Sequence, residues 1–229
     1  MKAAFGAALE SFQASPEERV LLITGTDGIF CAGGDLRSMD ATPGTLATRA
    51  RMAQSHHFAR LMERVEKPVI MAVNGAAVGA GVSLAMLGDI VVASDAAWFA
   101  SGFPQVGVLP DLGLLWTLPR AIGLPRARDF VLSLRRYDAE TALSTGLVSR
   151  VWPAADFDAE AEALAAQIAT GPGATFGLTK RLMNAAQTET FDSYLLREEL
   201  AQAVVFGTED FREGTRAFRE KRRPKFSGR

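Results

Sequence analysis

The stretch with the clearest chemical potential is Ala72 to Asp89, AVNGAAVGAGVSLAMLGD. Val69 to Val73 is an apolar run of the kind that forms a buried strand. Asn74-Gly75 signals a turn, and Gly79-Ala80-Gly81 gathers small residues where a helix over Ser83 to Leu87 would begin. Small residues let backbone approach a ligand closely. The first turn of a helix adds N–H groups with no intrahelical acceptor and a partial positive charge. Such a point suits an anion, or an oxygen that becomes one during a reaction. The order Gly75-x-x-x-Gly79-x-Gly81 differs from the G-x-G-x-x-G of dinucleotide sites, and no acidic residue ends a strand about 20 positions later. Tight helix–strand packing would account for the same glycines without a ligand.

A second loop has the same character. Phe30-Cys31-Ala32-Gly33-Gly34-Asp35-Leu36 follows the apolar run Val20 to Thr24, which reads as a strand buried on both faces. Loops at the C-terminal ends of neighbouring parallel strands lie where open α/β sheets bind ligands. One N–H from each loop, aimed at one oxygen, makes a two-donor oxyanion site. The acid of the region is Asp111, in LPDLG. Its place between Pro110 and an apolar helix start would bury it and raise its pKa toward that of a useful base. It is also placed to N-cap a helix beginning at Leu112. His56-His57 read as a solvated pair, with no companions at metal-ligand spacing, so no metal site is expected. Cys31 has no base partner and reads as a packing residue. Asp35 reads as structural for its loop, and Met39, Met52 and Met62 as pocket wall or core.

The elements that must hold these groups follow from periodicity. Phe5, Leu9 and Phe12 give helical spacing over Ala3 to Ala14, stopped by Ser15-Pro16. A long helix spans Leu46 to Val65 and ends before Lys67-Pro68. Further strands are expected at Ile90 to Ala93, Trp98 to Ala100 and Val148 to Trp152. Helices are expected at Leu114 to Ile122 and Arg126 to Leu134, and at Asp138 to Thr145 with Asp138 as N-cap and Gly146 as stop. Strand–helix–strand order with crossovers of this length implies parallel pairing in an α/β core over residues 1–153. Residues 154–229 turn helical: Phe157 to Thr170, Phe176 to Gln187, Phe191 to Phe206 and Asp210 to Glu220, then a basic, extended tail. That helical section is a candidate for docking on a neighbouring subunit.

Composition sets outer limits. The 229 residues are 48% hydrophobic and 22% charged, enough for a sizeable core. A formal net charge of −1 provides no global field for nucleic acid or acidic membranes. The lone Cys31 rules out an internal disulfide and fits a cytoplasmic setting. The N-terminus lacks the apolar core of a signal peptide, and no uncharged apolar run approaches the length of a membrane span.

Taken together and in order, FCAGGDL, VNGAAVGAGVSLAMLGDI, VGVLPDLGLLWTLPRAIG and EDFREGTRAFREKRRPKF resemble the crotonase (enoyl-CoA hydratase/isomerase) superfamily over nearly the whole chain. LPDLGLLWTLPR is most similar to the phenylacetate-pathway ring-epoxide isomerases. The resemblance implies an α/β fold, a crotonase-like spiral of ββα turns in two nearly perpendicular sheets, with C-terminal helices that build trimers or dimers of trimers. It implies an acyl-CoA thioester as ligand, with no cofactor beyond the coenzyme A of the substrate. The oxyanion donors would be the N–H groups of Ala32 and Ala80. Ala80 stands where the family often has glycine, which is tolerable if its φ is negative. Gly33, Gly34, Asp35 and Leu36 would line the acyl-CoA site. The two glutamates of the hydratases are replaced by Ser83 and Phe103, so paired-glutamate water addition is not expected.

Asp111 matches the catalytic aspartate of the ring-epoxide isomerases and the nucleophile of aroyl-CoA dehalogenases. The dehalogenase-type histidine would fall at Arg60, which disfavours that activity. Phe218 and Lys221, at (i, i+3) on one side of a helix, match the residues that stack on the CoA adenine and pair with its phosphate. Family members also begin with a strand and an N-R-P loop upstream of the position of Met1. The expectations are therefore a start further upstream, or loss of an edge strand and part of the CoA clamp. The leading functional expectation is isomerisation of an enoyl- or ring-epoxide acyl-CoA through a thioester enolate. A non-catalytic acyl-CoA-binding protein and an aroyl-CoA dehalogenase are the alternatives.

Overall fold

The chain threads two sheets, and each of the first three strands of the first sheet is followed by a strand of the second. The computed structural model describes residues 2–35 and 44–228. The first sheet has the order β1 (Leu21–Thr24), β3 (Val69–Val73), β5 (Ile90–Ser94), β8 (Arg150–Trp152). The second has the order β2 (Ile29–Cys31), β4 (Ala76–Val78), β6 (Trp98–Ala100), β7 (Tyr137–Asp138). All pairings are parallel except β6 with β7.

The apolar runs sort by position. All five residues of β3 are buried, because the strand lies between β1 and β5 and is covered on both faces. The expectation that Val20 to Thr24 is buried on both faces is not met. β1 is the edge of its sheet, paired only with β3, and its residues are half-buried or exposed. Three short strands, β2, β4 and β7, escape sequence reading. Ala76-Ala77-Val78 is strand only because β2 and β6 pair with it on either side. Trp98–Ala100 is a strand as expected, but it belongs to the second sheet.

The helices close the core. α1 (Lys2–Ala14) lays Leu9 and Phe12 inward, and Phe5 meets Phe58 of α2 (Thr45–Arg64) at a ring separation of 5.1 Å. α3 (Ala80–Ala85) starts three residues earlier and ends two residues earlier than the periodicity over Ser83 to Leu87 suggests. α4 (Leu114–Ile122) and α5 (Leu124–Leu132) pack as a pair. α6 (Ala139–Thr145) has the expected ends: Asp138 accepts from the Thr141 N–H at 2.8 Å, and Gly146 stops the helix in the left-handed region. α7 (Phe157–Ala169) covers the other face of the first sheet, with Phe157, Ala161 and Leu164 against Ile70, Ala72 and Val92. α8 (Gly173–Ala185), α9 (Phe191–Phe206) and α10 (Glu209–Arg219) follow. No described helix is long and apolar enough to cross a membrane.

Side-chain bolts join the C-terminal helices to the sheets. Lys180 on α8 pairs with Asp89 at 2.8 Å, and the same Asp89 oxygen accepts from the Val69 N–H at 2.8 Å. Burial pushes the Asp89 carboxyl above its ordinary value, against the pull of Lys180. The basic tail is extended, yet strapped down. Buried Asp210 accepts from the Ser227 N–H (2.7 Å) and the Gly228 N–H (2.9 Å). Glu213 accepts from the Arg222 guanidinium at 2.6 and 3.0 Å and from the Lys225 N–H at 2.9 Å.

Those bonds to Arg222, Lys225 and Arg216 hold the Glu213 carboxyl well below the usual carboxylate range. A depressed folded-state pKa contributes stability above the unfolded value, lost as pH falls. Glu213→Gln is therefore expected to lower the Tm at pH 7. The difference from wild type should shrink as pH drops through the ordinary glutamate value of 4.5 and below, which thermal unfolding at pH 7, 5 and 3 measures.

Candidate active site

The neighbouring strands β2, β4 and β6 run parallel and end at Cys31, Val78 and Ala100. Their exits, Ala32-Gly33, Gly79-Ala80 and Ser101-Gly102, therefore emerge at one edge of the second sheet. The ligand-binding geometry foreseen for neighbouring parallel strands is thus present, but at the ends of β2 and β4 rather than β1 and β3.

Close backbone contact joins the exits. Gly81 lies directly under the Cys31 carbonyl: a β-carbon there would stand 2.1 Å from that oxygen. A β-carbon on Gly33 would stand 3.0 Å from the Val78 oxygen and 3.7 Å from the Ala80 nitrogen. The Ala32-Gly33 backbone therefore rests against the start of α3. Gly79, the N-cap of α3, has φ 55° and ψ −118°, a conformation that side chains with a β-carbon resist. Its N–H donates to the Ala100 carbonyl at 2.9 Å, and its own carbonyl accepts from Val82 (3.0 Å) and Ser83 (3.3 Å). Those bonds satisfy two amides of the first turn, while helix geometry offers none to the amide of Ala80. Ala80 and Ala32 are not among the positive-φ residues, so alanine in place of glycine at residue 80 is unstrained.

The other expected residues fall as follows. Ser83 is fully buried on α3. Phe103 is buried, and its ring edge lies 4.0 Å from where a Gly79 β-carbon would stand. Neither supplies a carboxylate. Asp111 is half-buried in the turn that opens α4. The capping alternative fails: α4 starts at Leu114, not Leu112, and its N-cap is Gly113 with no side-chain hydrogen bond. The Asp111 carbonyl instead accepts from the Leu114 N–H at 3.1 Å, and Leu112, buried, takes φ 52°. A leucine held in the left-handed region stores roughly 1–2 kcal/mol, and such strain clusters at functional sites.

Gly33 is half-buried, whereas Ala32, Gly34 and Asp35 are exposed at the mouth. Leu36 and Met39 lie outside the described residues. His56, His57 and Arg60 are exposed on α2. Among the described residues, no group of three or more His, Cys, Asp or Glu could hold a metal ion.

The expected helical pairing of Phe218 and Lys221 needs correction. α10 ends at Arg219 and is capped by Glu220, so Lys221 lies beyond the helix at φ 53°. Phe218 is 85% exposed, at the rim of a cavity of about 390 Å³ lined also by Thr175, Val205, Phe211 and Phe226. Sequence reading missed Ser101. It is buried beside Gly79, and a serine after a short strand carries no signal of its own.

Comparison with known proteins agrees with this arrangement. The family model described as enoyl-CoA hydratase/isomerase matches residues 1–229. The 1,2-epoxyphenylacetyl-CoA isomerase of Escherichia coli is 37% identical over 231 residues, covering 100% of this chain and 88% of that protein. A probable enoyl-CoA hydratase of Rhodobacter capsulatus is 37% identical, covering 95% of this chain and 84% of its own. The crystal structure of an enoyl-CoA hydratase/isomerase from Cupriavidus metallidurans superposes with a TM-score of 0.92 at 32% identity, over 99% of this chain and 86% of that one. With family model, relatives and fold in accord, the chain belongs to the enoyl-CoA hydratase/isomerase family, the crotonase superfamily.

Proposed function

We propose that this family member isomerises an enoyl- or ring-epoxide acyl-CoA through a thioester enolate. The observation that carries the reading is the contact between the Cys31–Gly33 backbone and the Gly79–Gly81 backbone at the strand ends. In this reading the amides of Ala32 and Ala80 donate to the thioester oxygen. Negative charge that builds on that oxygen is stabilised by fixed dipoles, and the neighbouring carbon becomes acidic. Asp111 removes the proton there and returns it elsewhere on the acyl group. With Ser83 and Phe103 where hydratases of the family carry glutamates, no carboxylate pair activates water, so proton shuttling is favoured over water addition. The likeness to 1,2-epoxyphenylacetyl-CoA isomerase supports the ring-epoxide substrate class.

Coenzyme A enters as part of the substrate and no other cofactor is required. Gly33, Gly34 and Asp35 line its acyl end, and Phe218 and Lys221 its nucleotide end. α9 has no buried residue, and Phe191, Leu195, Leu200 and Val204 are exposed along it. That apolar stripe supports assembly into a homotrimer or a dimer of trimers in the cytoplasm. A second reading, a non-catalytic acyl-CoA binder, is favoured by the missing carboxylates alone.

Proton exchange at the α-carbon of acyl-CoA thioesters in deuterated water separates the two. Exchange by the wild-type protein, reduced about 10²–10³-fold in Asp111→Asn with thioester affinity kept within about threefold, is the expected result. Absence of exchange across saturated, enoyl and ring-epoxide thioesters would favour the binder.

Ala80→Pro tests the donor. Residue 80 is the first of α3, a position where proline fits the helix and removes only an N–H. The expected loss is about 10²–10³-fold in kcat, while the far-ultraviolet circular dichroism stays that of wild type.

A further inference from the structure

Among the described residues, the buried serine hydroxyls are partnered except those of Ser83 and Ser101. Among the described residues, five polar or charged ones are buried: Ser55, Ser83, Ser94, Ser101 and Asp210. Ser55 Oγ donates to the Arg51 carbonyl at 3.3 Å, Ser94 Oγ accepts from the Ala96 N–H at 3.2 Å, and Asp210 holds the tail. Ser83 Oγ and Ser101 Oγ, both in residues at 0% exposure, have no hydrogen-bond partner among the described residues.

The two bracket one residue. The Ser83 N–H donates to the Gly79 carbonyl at 3.3 Å, and the Ser101 carbonyl lies 3.4 Å from where a Gly79 β-carbon would stand. They come from different elements, α3 and the exit of β6, and the main chain of each lies against Gly79, the residue that begins the candidate donor turn. A hydroxyl taken out of water without a new partner destabilises a fold, and alanine would fill either position at no such cost. Two such groups at one edge of the site imply that something else satisfies them.

We infer that Ser83 and Ser101 are specificity-determining residues that hydrogen-bond an oxygen borne by the acyl group. Resting on the acyl-CoA reading above, this narrows the substrate class to oxygenated acyl thioesters, those with an epoxide, ether or hydroxyl oxygen. A site that hydrogen-bonds a substrate oxygen rejects the hydrocarbon analogue, because its own buried polar groups are then left unpaired. Ser83 and Phe103 are both buried and neither is a carboxylate, so such an oxygen would meet no acid/base group at these two positions.

Calorimetric titration with matched thioesters tests the assignment: butyryl-CoA against 3-hydroxybutyryl-CoA, and phenylacetyl-CoA against 2-hydroxyphenylacetyl-CoA. The expected result is at least tenfold tighter binding of the oxygenated member in at least one pair. Ser83→Ala and Ser101→Ala should each narrow that ratio at least fivefold, with a Tm equal to or above wild type. Ratios near one in the wild-type protein overturn the inference. Ratios unchanged by both substitutions overturn it too, as do equal losses for both members of a pair, and a water held by the two hydroxyls would show itself in this way. If no thioester binds at all, the acyl-CoA reading falls first and this inference with it.

Discussion

The constraint on which the candidate site depends is the seat of the Cys31 carbonyl on Gly81. Nothing larger than a hydrogen fits there, since a β-carbon would stand 2.1 Å from the oxygen. That single approach brings the exit of β2 onto the first turn of α3. It explains why two strands of only three residues each suffice: β2 and β4 need only deliver their ends to one place. The first sheet supplies the rigidity behind them. β3 is wholly buried, β5 lies beside it, and each leads through a short connection into a strand of the second sheet. Burial in one sheet thus sets the precision of loops at the edge of the other.

Much of the frame was legible because it depends on strong local signals. The five-residue apolar run of β3, the Asp138/Thr141 cap with Gly146 as stop, and the whole of α9 stand where periodicity and cap chemistry place them. What escaped depends on pairing at a distance. Ala76-Ala77-Val78 has no pattern of its own and becomes strand by lying between β2 and β6. β1 reads as buried because its residues are apolar, yet burial is decided by how many neighbours the sheet gives it. Helix ends drifted for a similar reason. α4 starts two residues after Leu112 because the Asp111–Gly113 turn takes two left-handed residues in succession.

The site divides in the same way. Small residues announce close backbone approach, so Gly33, Ala80 and their neighbours are visible in the sequence as a place where main chain does chemistry. A side chain buried between two elements gives no such notice. Ser101 is buried beside Gly79, and no spacing rule marks it. Phe218 and Lys221 show the converse. Their spacing suggests one helical face, but the helix ends between them and Lys221 turns back through the left-handed region.

The division of labour around the acyl group follows from what each position can ionise. Backbone amides at residues 32 and 80 carry fixed dipoles whose strength does not change with pH, which suits them to steadying charge rather than moving protons. Ser83 and Phe103 cannot exchange protons near neutral pH, so both positions are chemically silent except for hydrogen bonding by the serine. The proposed function thereby leaves proton transfer to Asp111, the one carboxylate in the segment between Phe103 and Leu114. Its turn is not shaped by helix capping, because Gly113 takes that position. The cost of holding Leu112 at φ 52° therefore gains nothing for α4 that glycine alone would not supply. It fixes instead the direction in which the peptide at Asp111 leaves the loop. If, as proposed, one carboxylate serves both as base and as acid, that direction decides which carbons it can reach.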